Sequence, residues 1–236
     1  MRLFKTKTFV TLASLLFAGI PLWSQTSTAE TAPESKYDYH EAFNSMFYTS
    51  NGTGFRSASG QPGPAYWQNR TDYQLTASLN ETTHEISGKA TLTYTNNSPD
   101  ALPFAWLFLE QNLFAKDSRG AAIVPLRGSR YDTNGEELNG GMKIKSVKLV
   151  AADGKTLSDA KYIISDTRMQ VWFPKELSPK TGKAKLVIEY SYICPMMGAD
   201  RTGIQPTKNG KMFSIAQWYP RMCVYDDIYG WNTIPY

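Results

Sequence analysis

The chain has 236 residues, of which 42% are apolar and 19% are charged, and its formal net charge is +4. This composition excludes a disordered polymer and is sufficient for a sizeable core in one large domain or two small ones. Three cations, Arg2, Lys5 and Lys7, lie at the amino terminus, and because the remaining 22 Lys and Arg balance 21 Asp and Glu, we expect no nucleic acid partner.

The amino terminus has the three-part pattern of a secretory signal. After the three cations come an apolar run, Phe9 to Ile20, then Pro21 and a short polar exit at Ser24. The run is too short to span a bilayer as a mature helix, and no Cys lies near the exit to carry a lipid. We therefore predict a signal peptide over residues 1–24, export to the periplasm or the extracellular space, and no membrane attachment after cleavage.

The segment after the signal has little to bury. Residues 25–35 are mostly Thr, Ser, Ala, Glu and Pro and predict a flexible leader. A single domain is predicted over residues 36–236, and it opens with a short helix within Lys36 to Tyr48, where apolar side chains recur on one helical side. Asn51 to Trp67 is dense in Gly, Ser and Pro and predicts a loop.

From Asp72 onwards the apolar residues recur with a period of two, which is typical of strands. Tyr73 to Leu79 and Ile86 to Tyr94 alternate on either side of a polar turn and predict a hairpin with one wet face. Phe104 to Phe114 is apolar on both faces and predicts a central strand, while Lys116 to Gly141 predicts a long loop. Further strands are predicted at Lys143 to Val150, Tyr162 to Ile164, Met169 to Phe173, Lys183 to Tyr192 and Met212 to Trp218. The predicted fold class is therefore all-β, an antiparallel β-sandwich or saddle-like sheet.

Two His-Glu dipeptides, beginning at His40 and His84, suggest a metalloprotease motif. A zinc helix needs a second His four residues later, so that both imidazoles project from one face, but these positions hold Asn44 and Gly88. The chain has no third His, no Gly-x-Ser-x-Gly elbow and no phosphate-binding Gly loop. We therefore predict no catalytic residue, no metal ligand and no cofactor site in this chain.

Cys194 and Cys223 are the two cysteines and allow one intramolecular pairing. An exported chain meets a compartment in which a disulfide forms and persists. The sequence does not give the distance between the two Cα atoms, which decides whether a bridge fits. A disulfide between Cys194 and Cys223 and a pair of buried thiols therefore both stay open.

Asp226 and Asp227 are adjacent carboxylates near the end of the sequence. Neighbouring residues of a strand point to opposite faces, so they rarely bind one cation together. We expect instead that one of these carboxylates caps a turn or pairs with Arg221.

The same region carries an aromatic stripe. Several aromatic residues close together in the sequence are typical of a domain boundary, where their rings are buried and their polar atoms stay in contact with solvent. The alternative is an exposed platform that stacks on a peptide or a glycan. The stripe consists of Trp218, Tyr219, Tyr225, Tyr229, Trp231 and Tyr236.

Two stretches, Tyr66 to Phe114 and Phe213 to Trp231, resemble the amino-terminal domain of the aminopeptidase N family, the gluzincin zinc aminopeptidases, and exported bacterial members most of all. That domain opens with a Y-x-L-x-x-x-L strand and a G-x-x-x-x-x-Y-x-N strand, which match Tyr73 to Leu79 and Gly88 to Asn96. The stretch "FSIAQWYPRMCVYDDIYGW", Phe213 to Trp231, is similar to the region in which the family has a Gln or Glu, an aromatic-Pro turn and an Asp. The resemblance runs from about Tyr37 to Tyr236.

The resemblance implies a saddle-like β domain that leans on a zinc-containing catalytic domain and anchors the free α-amino group of a peptide. By motif position the anchoring residue is Gln217, whose amide oxygen would accept a hydrogen bond from the ammonium group of the substrate. The alternative role of Gln217 is that of a strand-end side chain that bonds backbone groups. The family's His-Glu-x-x-His helix, distal Glu ligand and catalytic Tyr are expected in a catalytic domain outside this chain.

The sequence therefore predicts the exported amino-terminal domain of a zinc aminopeptidase, a truncated chain that is inactive alone. Its expected partners are the missing catalytic domain, in the same or a separate chain, and the peptide amino terminus; zinc belongs to the whole enzyme. The rival hypothesis is a free-standing β-sandwich module that binds peptide or glycan through exposed aromatic residues.

Overall fold

The computed structural model describes residues 52–116, 118–119, 140–196 and 202–234, all within one compact unit, Tyr48–Tyr236. The predicted signal peptide, the leader and the helix within Lys36 to Tyr48 lie outside the described residues, as does most of the predicted loop from Lys116 to Gly141. No helix in the described ranges is long and apolar enough to cross a membrane.

The described residues are organised almost entirely as strands. One short 3-10 helix, Glu110–Phe114, follows the third strand. The strands in chain order are β1 Arg70–Asn80, β2 Glu85–Asn96, β3 Leu102–Phe108, β4 Lys143–Val150, β5 Leu157–Asp159, β6 Lys161–Ser165, β7 Arg168–Leu177, β8 Gly182–Ile193, β9 Thr202–Thr207, β10 Gly210–Ile215, β11 Arg221–Met222, β12 Tyr225–Asp226 and β13 Gly230–Trp231.

The larger sheet has five antiparallel strands in the order β1-β2-β8-β4-β5. The predicted hairpin is confirmed by β1 and β2, whose register places Leu75 opposite Ala90 and Tyr73 opposite Leu92. Along β2 the buried residues alternate with more exposed ones, because successive side chains of a strand point to opposite faces. The alternation therefore gives this sheet one face toward the core and one toward solvent.

The second sheet has four strands in the order β11-β3-β7-β6. One hydrophobic cluster combines buried residues of both sheets, among them Leu92 and Ile188 from the first and Leu107 and Val171 from the second. Two small hairpins, β9 with β10 and β12 with β13, complete the arrangement. The all-β antiparallel class predicted from the sequence is confirmed.

The predicted strand from Phe104 to Phe114 is wrong in its second half. Strand β3 ends at Phe108, and the chain then turns into the 3-10 helix. The Leu109 amide donates to the Thr167 carbonyl at 2.8 Å, and the Ala115 amide donates to the Asn112 carbonyl at 3.0 Å. The polar triplet of residues 110–112 interrupts the apolar run, and its side chains bond to other segments instead of extending the sheet.

A second difference concerns the last predicted strand, Met212 to Trp218. Strand β10 ends at Ile215, because Gln217 has a φ of 45°, which no strand residue adopts. Its partner β9 was missed because Pro206 and Gly203 weaken the strand pattern in that segment.

Gly88 lies where β2 approaches a buried tyrosine of β8. A Cβ atom at this position would overlap the phenol ring of Tyr190, its register partner. We expect Gly88→Ala to lower the free energy of unfolding by about 1–3 kcal/mol, since overpacking displaces side chains in a close-packed core. Urea denaturation measures the change. Ser87→Ala next to it should change stability by less than about 0.5 kcal/mol, and an equal loss in both variants would contradict the overlap.

Candidate functional site

The candidate site is the Gln217 turn, which we define as residues 216–218, directly after β10. Gln217 has a φ of 45°, in the left-handed region that non-glycine residues rarely adopt. Such a backbone persists only where the surrounding structure fixes it, and it is found preferentially at binding and catalytic sites.

Hydrogen bonds hold this turn from two sides. On one side Gln111, only 2% exposed, donates from Nε2 to the Ala216 carbonyl at 2.7 Å and, more weakly, to the Gln217 carbonyl at 3.4 Å. On the other side the Ala216 amide donates to Thr202 Oγ1 at 3.4 Å. Gln217 is half-buried, and no described residue forms a hydrogen bond with its side-chain amide group. The backbone is therefore fixed while the side-chain amide keeps its bonding capacity.

An ion pair between the exposed Arg221 and the buried Glu110 holds the chain four positions after Gln217. Arg221 bonds to Glu110 Oε1, and the Glu110 side chain is 5% exposed. The hydrogen bond that Arg221 donates to Glu110 raises the pKa of Arg221, although burial acts in the opposite direction. The guanidinium also lies 5.2 Å from the ring centre of Phe108. Glu110 Oε2 and Gln111 Oε1 are both buried without a hydrogen-bond partner, which gives this corner of the described structure unused acceptor capacity.

The two adjacent carboxylates have separate structural roles. Asp226 Oδ1 accepts hydrogen bonds from the amides of Ile228 at 2.9 Å and Tyr229 at 2.8 Å, which confirms that one carboxylate caps a turn. Asp227 pairs with Arg56, at 2.8 Å, whereas Arg221 pairs with Glu110. The alternative pairing of Arg221 with one of these carboxylates is therefore wrong.

The aromatic stripe is largely turned inward. Trp218, Tyr219, Tyr225 and Trp231 pack against the hydrophobic cluster. Trp218 meets Tyr219 edge to face with ring centres 5.0 Å apart, and Tyr225 meets Trp231 at 5.2 Å. Tyr229 is 49% exposed, and Tyr236 lies outside the described residues. These four packed residues are half-buried, and their contacts with one another and with the core cover part of the ring surface that stacking on a ligand would need.

Cys194 and Cys223 are two buried, free thiols in the structure. Burial raises the pKa of Cys194 to about 11 and that of Cys223 to about 12. Both thiols are therefore protonated at neutral pH and poor nucleophiles.

The described residues do not fit a zinc ion. Within residues 52–116, 118–119, 140–196 and 202–234, no three His, Cys, Asp or Glu side chains lie close enough to hold a metal. His84 is the one histidine in these ranges, and its Nε2 lies only 2.7 Å from Lys211 Nζ. The positive charge of Lys211 disfavours the binding of a metal cation at this imidazole.

Fold and site together define a two-sheet, all-β domain that presents one glutamine side chain from a fixed turn. No family model and no curated protein sequence matches the chain. The solved structures that it matches include M1 zinc metallopeptidases. One from Deinococcus radiodurans, a mutant bound to a Tyr-Ser-Ala substrate, has 14% identity and a TM-score of 0.33 over 57% of this chain and 23% of that one.

Two further solved structures are of the same kind. A two-domain M1 zinc metallopeptidase mutant bound to L-tryptophan has 13% identity and a TM-score of 0.34, over 59% of this chain and 24% of that one. Another M1 zinc metallopeptidase from Deinococcus radiodurans has 12% identity and a TM-score of 0.33, over 62% and 28%. The match to this chain thus spans about a quarter of the length of each of these structures.

The Arg56 and Asp227 pair joins the first described loop to the C-terminal segment. The Asp227 side chain is 7% exposed and that of Arg56 20%. We expect Arg56→Met to lower the free energy of unfolding by about 2 kcal/mol, below the range for fully buried pairs because Arg56 keeps some solvent. The exposed pair of Arg70 and Asp72 is the control; Arg70→Met should cost less than about 1 kcal/mol. Equal losses in chemical denaturation would contradict this difference.

The buried thiols predict alkaline destabilisation. Their folded pKa values lie above the unfolded value of 9.0, so the native state holds protons that the unfolded state releases. The contribution of the protonated thiols to the free energy of unfolding is complete below about pH 9 and is lost as pH rises toward 11 and 12. Urea denaturation at several pH values measures this loss.

Cys223→Ala is the control for this loss of stability at alkaline pH. The variant lacks one titrating thiol, so its free energy of unfolding should decrease less steeply between pH 9 and 12. Without reductant, the unfolded wild-type chain should react with two equivalents of a thiol reagent. Zero equivalents would mean a disulfide and contradict the assignment.

Proposed function

We propose that this chain is the amino-terminal domain of an exported zinc aminopeptidase and that Gln217 holds the free α-amino group of the peptide. One observation carries the proposal: the Gln217 turn has a backbone that neighbouring residues fix and a side-chain amide that no described residue engages. The stretch Phe213 to Trp231 resembles the substrate-anchoring stretch of the aminopeptidase N family. This resemblance is the reason for proposing a peptide α-amino group as the ligand.

The chemistry of an amide suits this ligand. The Gln217 side-chain oxygen accepts a hydrogen bond from an ammonium group and carries no charge that must be desolvated. A hydrogen bond to a charged group contributes about 1.5–3 kcal/mol. Holding the amino terminus at one point fixes the register of the peptide, so that cleavage is confined to its first bond. Zinc and the cleavage step belong to residues outside the described part of this chain.

Exposed apolar residues in the segment after the Gln217 turn support a catalytic domain as the partner. Val224 is 59% exposed, Ile228 45% and Ile234 69%, all within the segment that follows the Gln217 turn. Apolar side chains grouped in this way are typical of a surface that another protein segment covers. The segment that follows the proposed anchor thus has apolar area available to a second domain, as strand β6 also has with Tyr162, Ile163 and Ile164.

The proposal is tested with an antibody against residues 25–236 in cells that make the protein. The precipitate should release amino acids from aminoacyl 4-nitroanilides and lose this activity to a chelator. Gln217→Ala should raise KM about tenfold, because a charged hydrogen bond is lost. Gln205→Ala, an exposed glutamine of β9, should leave KM unchanged.

The outcomes against the proposal are equally specific. If no chelator-sensitive aminopeptidase activity precipitates with the chain, the enzyme assignment is wrong. If activity is present and Gln217→Ala behaves like Gln205→Ala, the anchoring role is wrong while the enzyme assignment stands.

A further inference from the structure

We infer that Gln111 is a positioning residue for substrate binding: it fixes the Gln217 turn so that the Gln217 amide meets the amino terminus of the peptide. This inference rests on the proposed function and adds a residue from a different part of the fold. Gln111 lies on the 3-10 helix after β3, 106 positions before Gln217.

The orientation of the Gln111 side chain is determined by its partners. Both partner atoms are carbonyl oxygens, of Ala216 and Gln217, so the group that faces them is the NH₂ group. The oxygen Oε1 is then turned away and is buried without a donor. A buried acceptor without a donor is unfavourable. The side chain thus keeps its bonds to the turn while its own oxygen remains unsatisfied.

The bonds from Gln111 act at the strained position. The left-handed φ of Gln217 needs external restraint, and a donor on the carbonyls of residues 216 and 217 holds the two flanking peptide planes. Without that donor, the bond to the turn that remains among the described residues is the one of 3.4 Å from the Ala216 amide to Thr202. The Gln217 side chain would then sample other directions, and small displacements of a positioning group cost large factors in binding and rate.

The neighbouring residue supports the same turn from its other end. Glu110 bonds to Arg221, which lies four positions after Gln217. Adjacent residues of one 3-10 helix therefore bond to the Gln217 turn itself and to a residue four positions after Gln217. Asn112, the next residue, bonds elsewhere: its Nδ2 donates to the Asp166 carbonyl at 2.7 Å and its Oδ1 accepts from the Met142 amide at 2.7 Å.

Asn112 supplies the matched control, because it is an amide on the same helix that holds a different segment. Gln111→Met and Asn112→Leu each remove an amide and keep the side-chain size. Each variant enzyme is isolated with the antibody. The inhibition constants of L-leucinamide and of 4-methylpentanamide, which lacks the α-amino group, are compared. Their ratio measures recognition of the amino group, and melting temperature measures stability.

We expect Gln111→Met to reduce this ratio about tenfold, as Gln217→Ala does, since a charged hydrogen bond is misplaced. Asn112→Leu should lower the melting temperature and leave the ratio unchanged. A wild-type ratio in Gln111→Met, with a reduced ratio in Gln217→Ala, would overturn the inference and leave the proposed function intact. A wild-type enzyme without activity, or one that does not distinguish the two amides, would overturn both.

If Gln111→Met does not fold, Thr202→Val tests the same turn from its other side. Valine has the shape of threonine without the Oγ1 that accepts from the Ala216 amide. The expected result is a smaller reduction of the ratio in the same direction. An unchanged ratio in Thr202→Val would overturn the inference that restraint of this turn governs amino-group recognition.

Discussion

Burial of the facing apolar sides of the two antiparallel sheets is the interaction on which the rest of the structure depends. Leu92, Leu186 and Ile188 of the larger sheet and Leu107 and Met169 of the smaller one are fully excluded from solvent. At roughly 25 cal/mol per Å² of apolar area, this burial is the dominant favourable contribution to folding. Strand β3 belongs to the smaller sheet and continues into the 3-10 helix, so the core also fixes the position of the residues that hold the Gln217 turn.

The candidate site lies where the regular sheet ends and buried polar groups begin. Glu110 and Gln111 are almost fully excluded from water, which is unfavourable for polar side chains unless they are bonded. Each bonds through one atom to the segment around Gln217, and each keeps one buried oxygen without a donor. Buried polar atoms without a partner are uncommon in native structures, and this corner is one of several places in the described residues that have them, together with residues 166–168, Tyr190 and Tyr192.

Local patterns in the sequence predict the sheets, whereas the site depends on distant contacts. The β1 and β2 hairpin follows from alternation over two adjacent segments, and its register needs no other information. The bond from Gln111 to Ala216 spans 105 positions and that from Arg56 to Asp227 spans 171, so no local window contains both partners. The local motif at Phe213 to Trp231 points to Gln217, whereas the signal for its supporting residues is the polar triplet at residues 110–112, which interrupts an apolar run and lies within the predicted strand.

The C-terminal segment distinguishes between the two functional hypotheses by which of its side chains are packed and which are exposed. Tyr225 and Trp231 pack on each other and on the core, while one ring, that of Tyr229, and the aliphatic side chains of Val224, Ile228 and Ile234 are exposed. A module that binds glycans by stacking needs the reverse, because stacking requires an accessible ring face. Exposed aliphatic groups gain most from being covered by another apolar protein surface. This division favours the interpretation that the segment that follows the Gln217 turn in the sequence is a boundary between domains.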